Sequence, residues 1–174
     1  MALGMSQGNL NYHFKTKPEI IEELYFELVE KMNSEMQKMA QNSSILSMLY
    51  TSAEMSMLNF YEYRFLMRDM YFIFRENDKI KQHYLELQKM RKEQFKMLFK
   101  TMIESQILRS EEFPDEYERL YERMNILGDN WINAFELLKK NVEEPVKYYQ
   151  LLLFEAIYPY LTSKGKAEFN ELAK

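Results

Sequence analysis

The sequence predicts an all-α protein built as a helical bundle, and three observations predict it. Among 174 residues only four are Gly and four are Pro, which leaves little turn chemistry for a sheet-rich fold. Fourteen Met, with plentiful Leu, Glu and Lys, favour helix. Apolar residues recur three and four positions apart through most of the chain. With 47% hydrophobic and 29% charged residues the profile is soluble and globular rather than disordered. The length suits one domain with a real core.

At the start, "MALGMSQGNLNYHFKTK" holds a turn followed by a short helix over about residues 6–14. Ser6 is its N-cap, Met5 and Leu10 form a hydrophobic staple, and Leu10 and Phe14 mark its inner face. "TKPE", Thr16 to Glu19, reads as a capping box with Pro18 in the first turn of the next helix. That second helix runs from about Lys17 to Ala40, with Ile21, Leu24, Tyr25, Leu28, Met32, Met36 and Met39 as its apolar stripe.

"QNSS" (Gln41 to Ser44) breaks the chain, and Ile45 to about Phe74 is apolar on most faces and expected to be buried. A bend near Arg64 to Asp69 is expected to divide it, and Asn77 and Asp78 end it. Lys79 to Arg109 reads as one long amphipathic helix. "SEEFPD" (Ser110 to Asp115) is a loop, and Asp115 to Lys140 repeats the helical pattern. After "NVEEP" (Asn141 to Pro145) a final helix spans Val146 to about Leu161. Such short connections imply antiparallel neighbours, as in helical bundles.

Composition excludes several classes of function. There is no cysteine, so disulfides and thiolate metal sites are absent. The longest uncharged internal run, Met39 to Ala53, is too short and too polar to span a bilayer. No signal-peptide pattern precedes the first motif, which fits a cytoplasmic protein with no membrane partner. Residues 1–17 carry Lys15 and Lys17 and no acid, whereas residues 18–174 carry 21 basic and 27 acidic side chains. The acidic body repels nucleic acid, so DNA contact is confined to the basic N-terminal end.

No catalytic pattern is present. The two histidines, His13 and His83, follow Leu10 and Ile80 by three, so the Glu-x-x-His pairs of a di-iron bundle are missing. HExxH, GxSxG, GxGxxG and P-loop patterns are also missing. The expectation is a protein with no catalytic residues, no metal and no cofactor. His83, near the start of a charged helix, reads as a surface or partly packed residue.

Binding surfaces are better supported. Arg64, Arg68 and Asp69 interrupt an apolar segment, either as an ion pair tying helices together or as an anion-binding group in a pocket. The middle of the chain is rich in Met and aromatic residues, which form plain core or line an adaptable apolar cavity. On the cavity reading, Phe60, Tyr61, Arg64, Arg68, Phe74, Met97 and Trp131 are the ligand-pocket candidates. Gly128 lies mid-helix beside Trp131 and Ala134, where glycine costs about 1 kcal/mol relative to alanine and often marks close helix approach. The last two long helices therefore carry a surface that packs inside the subunit or forms a symmetric dimer. Its candidates are Met124, Gly128, Trp131, Phe135, Tyr149, Leu153 and Ile157.

"LGMSQGNLNYHFKTKPEIIEEL" (Leu3 to Leu24) resembles the second half of the DNA-binding domain of tetracycline-repressor (TetR) family transcriptional regulators. The match covers about the first 28 residues. It has the family's Gly-x-Ser turn, short recognition helix and lysine step into a long linking helix. The resemblance implies a partial helix-turn-helix segment over residues 1–17 and a helical ligand-binding and dimerisation domain over residues 18–174. It places Gln7, Gly8, Asn9, Asn11, Tyr12 and His13 at the groove-facing positions. Gln and Asn there can pair with adenine, whereas Tyr12, His13 and Lys17 are better placed for phosphate. Asn11 stands where the family commonly has an aromatic residue.

The family has two further helices before this turn, and "MALG" reads as the tail of the second, so only part of the reading domain is expected here. Without those helices the N-terminal segment is expected to be partly mobile. Two functions follow. One is a repressor that in its full-length form binds operator DNA as a homodimer, in which a small-molecule effector changes the spacing of two recognition helices. The other is a dimeric ligand-binding module that does not bind DNA.

Overall fold

The computed structural model describes residues 16–38, 44–138 and 142–173. The recognition helix expected over residues 6–14, and the expectation that this segment is mobile, lie outside the described residues. Within those residues the chain is all-α, and the helices follow the breaks that the sequence marks. Helix α1 spans Lys17–Lys38 and starts where Thr16 Oγ1 accepts the Glu19 N–H at 3.4 Å. Helix α2, Ile45–Glu62, is capped by Ser44, whose Oγ accepts from Ser47 N at 3.1 Å.

The expected bend falls at Tyr63, which separates α2 from α3 (Arg64–Glu76). Asn77 serves two helices. Its backbone N–H closes α3 on the Ile73 carbonyl, and its side-chain oxygen accepts from Ile80 N to start α4, Asp78–Glu104. Helix α3 is less buried than its sequence suggests, for Phe65, Tyr71 and Phe72 are exposed. Only the face with Leu66, Met67 and Ile73 packs inward.

Helix α4 stops at Glu104, five residues short of Arg109, and beyond its Ser105 cap Gln106 takes the left-handed region (φ 59°). The freed segment forms an isolated antiparallel bridge, Leu108 with Leu161. Helix α5 is Glu116–Leu138 and α6 is Pro145–Glu155. The final helix is shorter than expected: a 3-10 turn at Tyr158–Tyr160 follows it. A further helix not expected from the sequence, α7 (Ser163–Leu172), then starts at the Thr162 cap. Gly165 lies in its first turn, where a Cβ would sit 2.4 Å from the Ile107 carbonyl oxygen. Only glycine lets α7 dock so closely.

The buried side chains form two cores. The Phe154 core joins Leu46 and Leu49 of α2, Phe99 and Met102 of α4, the start of α5, Phe154, Ile157 and Phe169. The Trp131 core joins Tyr25 and Leu28 of α1, Met57 of α2, Leu66, Met67 and Ile73 of α3, Ile80, Trp131, Ile132 and Tyr149. Helices α2 and α6 run through both.

Candidate ligand site and its connections

The structure brings four of the seven ligand-pocket candidates together. Phe60, Tyr61 and Phe74 are half-buried against the core that contains Trp131. Trp131 is 1% exposed, with the Tyr61 ring stacked on it (centroids 6.1 Å, planes 20° apart) and Tyr149 at 5.1 Å. Phe74 packs on Tyr84 at 4.5 Å. Met57, Met67 and Met70 fill gaps between the rings, and unbranched thioethers repack readily. The Trp131 indole N–H is buried and has no hydrogen-bond partner among the described residues. An unmatched buried donor of this kind costs about 1–3 kcal/mol.

The other three candidates lie outside this cluster. Arg64 is exposed; it donates to the Tyr61 carbonyl at 2.9 Å and its guanidinium sits 5.0 Å over the Tyr61 ring. Arg68 pairs with Glu136 at 3.1 Å, tying α3 to α5, while Asp69 is exposed. Met97 is 64% exposed on the outer side of α4.

The Trp131 core is wired to α1 at both ends of α3. At the start of α3, the Tyr63 hydroxyl donates to Glu27 at 3.0 Å, Glu62 pairs with Lys31, and Asn59 donates to Glu35. At its end, Asn77 donates to Glu22 at 3.2 Å, and Lys79 pairs with the same carboxylate. Lys79 and then Asn77 lower the Glu22 carboxyl below its usual range. His83 is partly packed, its Nδ1 3.0 Å from the Tyr25 hydroxyl. Burial pushes Tyr25 up to about 12; burial, then Glu27, does the same to Tyr63, so both hydroxyls keep their protons at neutral pH. On the α4 side, Tyr84 donates to Asp129, whose carboxyl is raised by desolvation.

Sequence reasoning missed this wiring. Glu22, Glu27, Lys31 and Glu35 look like the solvated side of an amphipathic helix. The one available signal was Asn77, a stop residue that also starts the next helix.

A cleft of about 570 Å³ opens at the other end of α4, between Lys92, Lys96 and Lys100 on one wall and Tyr117, Glu118 and Tyr121 on the other. Glu118 holds Lys92 at 2.7 Å and Lys96 at 3.1 Å. None of the ligand-pocket candidates lines it. Among the described residues no group of acidic or histidine side chains is arranged to hold a metal ion, and no helix is long and apolar enough to cross a membrane.

Of the dimer candidates, Met124, Trp131, Tyr149 and Ile157 are buried inside the subunit, and Phe135 and Leu153 are half-buried against its cores. A Cβ on Gly128 would meet nothing within 4 Å, so this glycine faces open space. The same two helices expose Ile126, Leu137, Leu138 and Leu152 instead. Of the DNA-contact candidates, Gln7, Gly8, Asn9, Asn11, Tyr12 and His13 lie outside the described residues; Lys17 is the exposed first residue of α1.

Comparisons with known proteins agree with this architecture. The family described as TetR, bacterial transcriptional repressor, matches residues 27–169. A TetR-family transcriptional regulator from Marinobacter aquaeolei shares the fold, with a TM-score of 0.78 and 22% identity over 98% of this chain and 82% of that one. No curated protein matches the sequence.

Proposed function

The chain belongs to the TetR family of transcriptional regulators, and from that premise we propose that it is a ligand-responsive repressor that binds operator DNA as a homodimer in the cytoplasm. The observation that carries the ligand response is the attachment of α1 to both ends of α3. Helix α3 is one wall of the Trp131 core, and α1 follows directly on the segment that resembles the DNA reader. A small molecule that enters the core and displaces α3 moves Tyr63 and Asn77, and with them Glu27 and Glu22 on α1. Rigid helices carry that shift to the recognition helices, which then lose their fit to successive major-groove half-sites.

On DNA, Gln7, Asn9 and Asn11 take the base edges, Gly8 permits close approach, and Tyr12, His13 and Lys17 take phosphates. The dimer forms on the outer face of α5 and α6, where Ile126, Gly128, Leu137 and Leu152 leave apolar or open surface.

The reading is tested by titrating the chain onto duplex DNA from upstream of its own gene, across a range of salt. Specific binding with a steep salt slope, lost in Asn9→Ala and weakened in Lys17→Ala, is expected. Equal binding to unrelated DNA overturns the DNA-reading proposal and favours the ligand-binding module. Leu137→Lys is expected to convert the dimer to a monomer in sedimentation velocity; an unchanged dimer removes this face from the proposal.

A further inference from the structure

The Trp131 core specifies a chemical class of effector. Three hydroxyls of the core are matched by neighbours: Tyr25 by His83, Tyr63 by Glu27, and Tyr84 by Asp129. The Trp131 N–H is buried with no acceptor among the described residues. The Tyr61 and Tyr149 rings against Trp131 offer flat π-faces, and the methionines of the same core can yield to a planar guest.

Charge at the edge of the core is already engaged. Arg68 is held by Glu136, Arg64 lies outside on Tyr61, and Asp129 takes hydrogen bonds from Tyr84 and Asn125. Arg91 is half-buried nearby, and its charge acts on Asp129 and on the Tyr25 and Tyr84 hydroxyls. With that carboxylate facing it, neither sign of charge on a guest meets a counter-ion free of an opposing neighbour. Resting on the reading of this core as the effector site, we propose that the effector is an uncharged, flat-ringed molecule that presents a carbonyl or ether oxygen to the Trp131 indole N–H.

Trp131 is the sole tryptophan of the sequence, so protein labelled with 15N-tryptophan gives one indole N–H resonance. Four probes share a ring and differ in one substituent: 2-acetonaphthone, 2-ethylnaphthalene, 2-naphthoate and 2-naphthylmethylammonium. The ketone is expected to bind about tenfold more tightly than the hydrocarbon, and to move the indole proton downfield. Trp131→Phe, which keeps an aromatic ring and removes the donor, is expected to equalise the ketone and the hydrocarbon.

Equal binding of ketone and hydrocarbon to the unaltered protein, with no downfield shift, overturns the acceptor while leaving the effector site standing. Tighter binding of the naphthoate or the ammonium probe overturns the uncharged class. Failure of all four to bind overturns the site itself, and the inference with it.

Discussion

The two cores of this chain differ in how they are closed. In the Phe154 core, Glu116 is 2% exposed and fully engaged. Arg109 donates to both of its carboxylate oxygens at 2.7 and 2.8 Å, and the Glu112 N–H adds a third bond. The Tyr117 hydroxyl closes the loop on the Arg109 carbonyl at 2.6 Å. Phe154 and Phe169 stack at 4.5 Å with planes 6° apart, and Gly165 lets α7 seal this end. Among the described residues each end keeps an unmatched polar atom, Glu168 Oε1 on α7 and Gln88 Nε2 beside Tyr121 at this end and the Trp131 indole N–H at the other. The Trp131 core differs in the helix break on each side of α3 and in its direct ties to α1. On the proposed response the Phe154 end is the locked one and the Trp131 end the movable one.

The largest effect tests that asymmetry through packing. Phe154→Ala removes a fully buried, stacked ring from the locked core and is expected to destabilise the fold by about 4 kcal/mol. Trp131→Ala, the same ring truncation at an equally buried position of the other core, is expected to cost less, about 3 kcal/mol, because the neighbouring methionines relax into the space. Urea unfolding of the two variants measures both, and equal losses would erase the distinction between the cores.

The next effect is pH-dependent and is read at Glu116 in the locked core. The Arg109 hydrogen bonds hold the Glu116 carboxyl down at about 2, with the Glu112 N–H helping, against burial. The folded state therefore binds this proton less readily than the unfolded chain, whose carboxyl titrates near 4.5. The stabilisation is complete above about pH 4.5 and is lost as pH falls toward 2. Glu116→Gln is expected to lower the urea midpoint at pH 7, and the gap from the unaltered protein is expected to close across that acidic window. A gap that stays constant down to pH 2 would show that the carboxylate charge is not what locks this end.

A smaller change in stability, with a larger change in response, is expected at the movable end. Tyr63→Phe keeps the buried ring and removes the hydrogen bond to Glu27, at a cost of about 1 kcal/mol. If this bond carries the signal to α1, the variant binds operator DNA while its release by effector is reduced. Full release in Tyr63→Phe would place the coupling in the remaining ties to α1, which run through Glu62, Asn59, Asn77 and Lys79.

The same contrast explains what was legible in the sequence. Caps and breaks are local chemistry, so the Thr16 start and the breaks at Ser44 and Asn77 could be read directly, as could most of the apolar stripe of α1, although Met36 is 48% exposed. The ends set by tertiary contacts could not. Gln106 turns left-handed without being glycine, and α7 was not expected because its place depends on Gly165 meeting the Ile107 carbonyl. The aromatic group around Trp131 was visible as composition. Its separation from Met97, Arg64 and Arg68 was not, because helix rotation decides which members of an apolar segment meet. Rotation acts on the dimer candidates in the same way: Met124, Trp131, Tyr149 and Ile157 turn into the subunit, and Leu137 turns out.

The smallest effect settles the two readings of the charged interruption in α3. Arg68 and Glu136 have side chains 46% and 33% exposed, so water screens the pair and its net contribution is below about 1 kcal/mol. Arg68→Ala is expected to leave the urea midpoint nearly unchanged, because the alanine exposes no buried charge: Glu136 turns to solvent. An anion-binding arginine predicts something else, a selective loss of affinity for 2-naphthoate with 2-acetonaphthone unaffected. The geometry favours the tie, since the guanidinium is outside the aromatic cluster and already paired across the α3–α5 contact. If Arg68→Ala loosens α3, its readout is easier effector release of DNA rather than weaker effector binding. That result would make Arg68 part of the restraint on the movable core and leave recognition to Trp131 and its neighbouring rings.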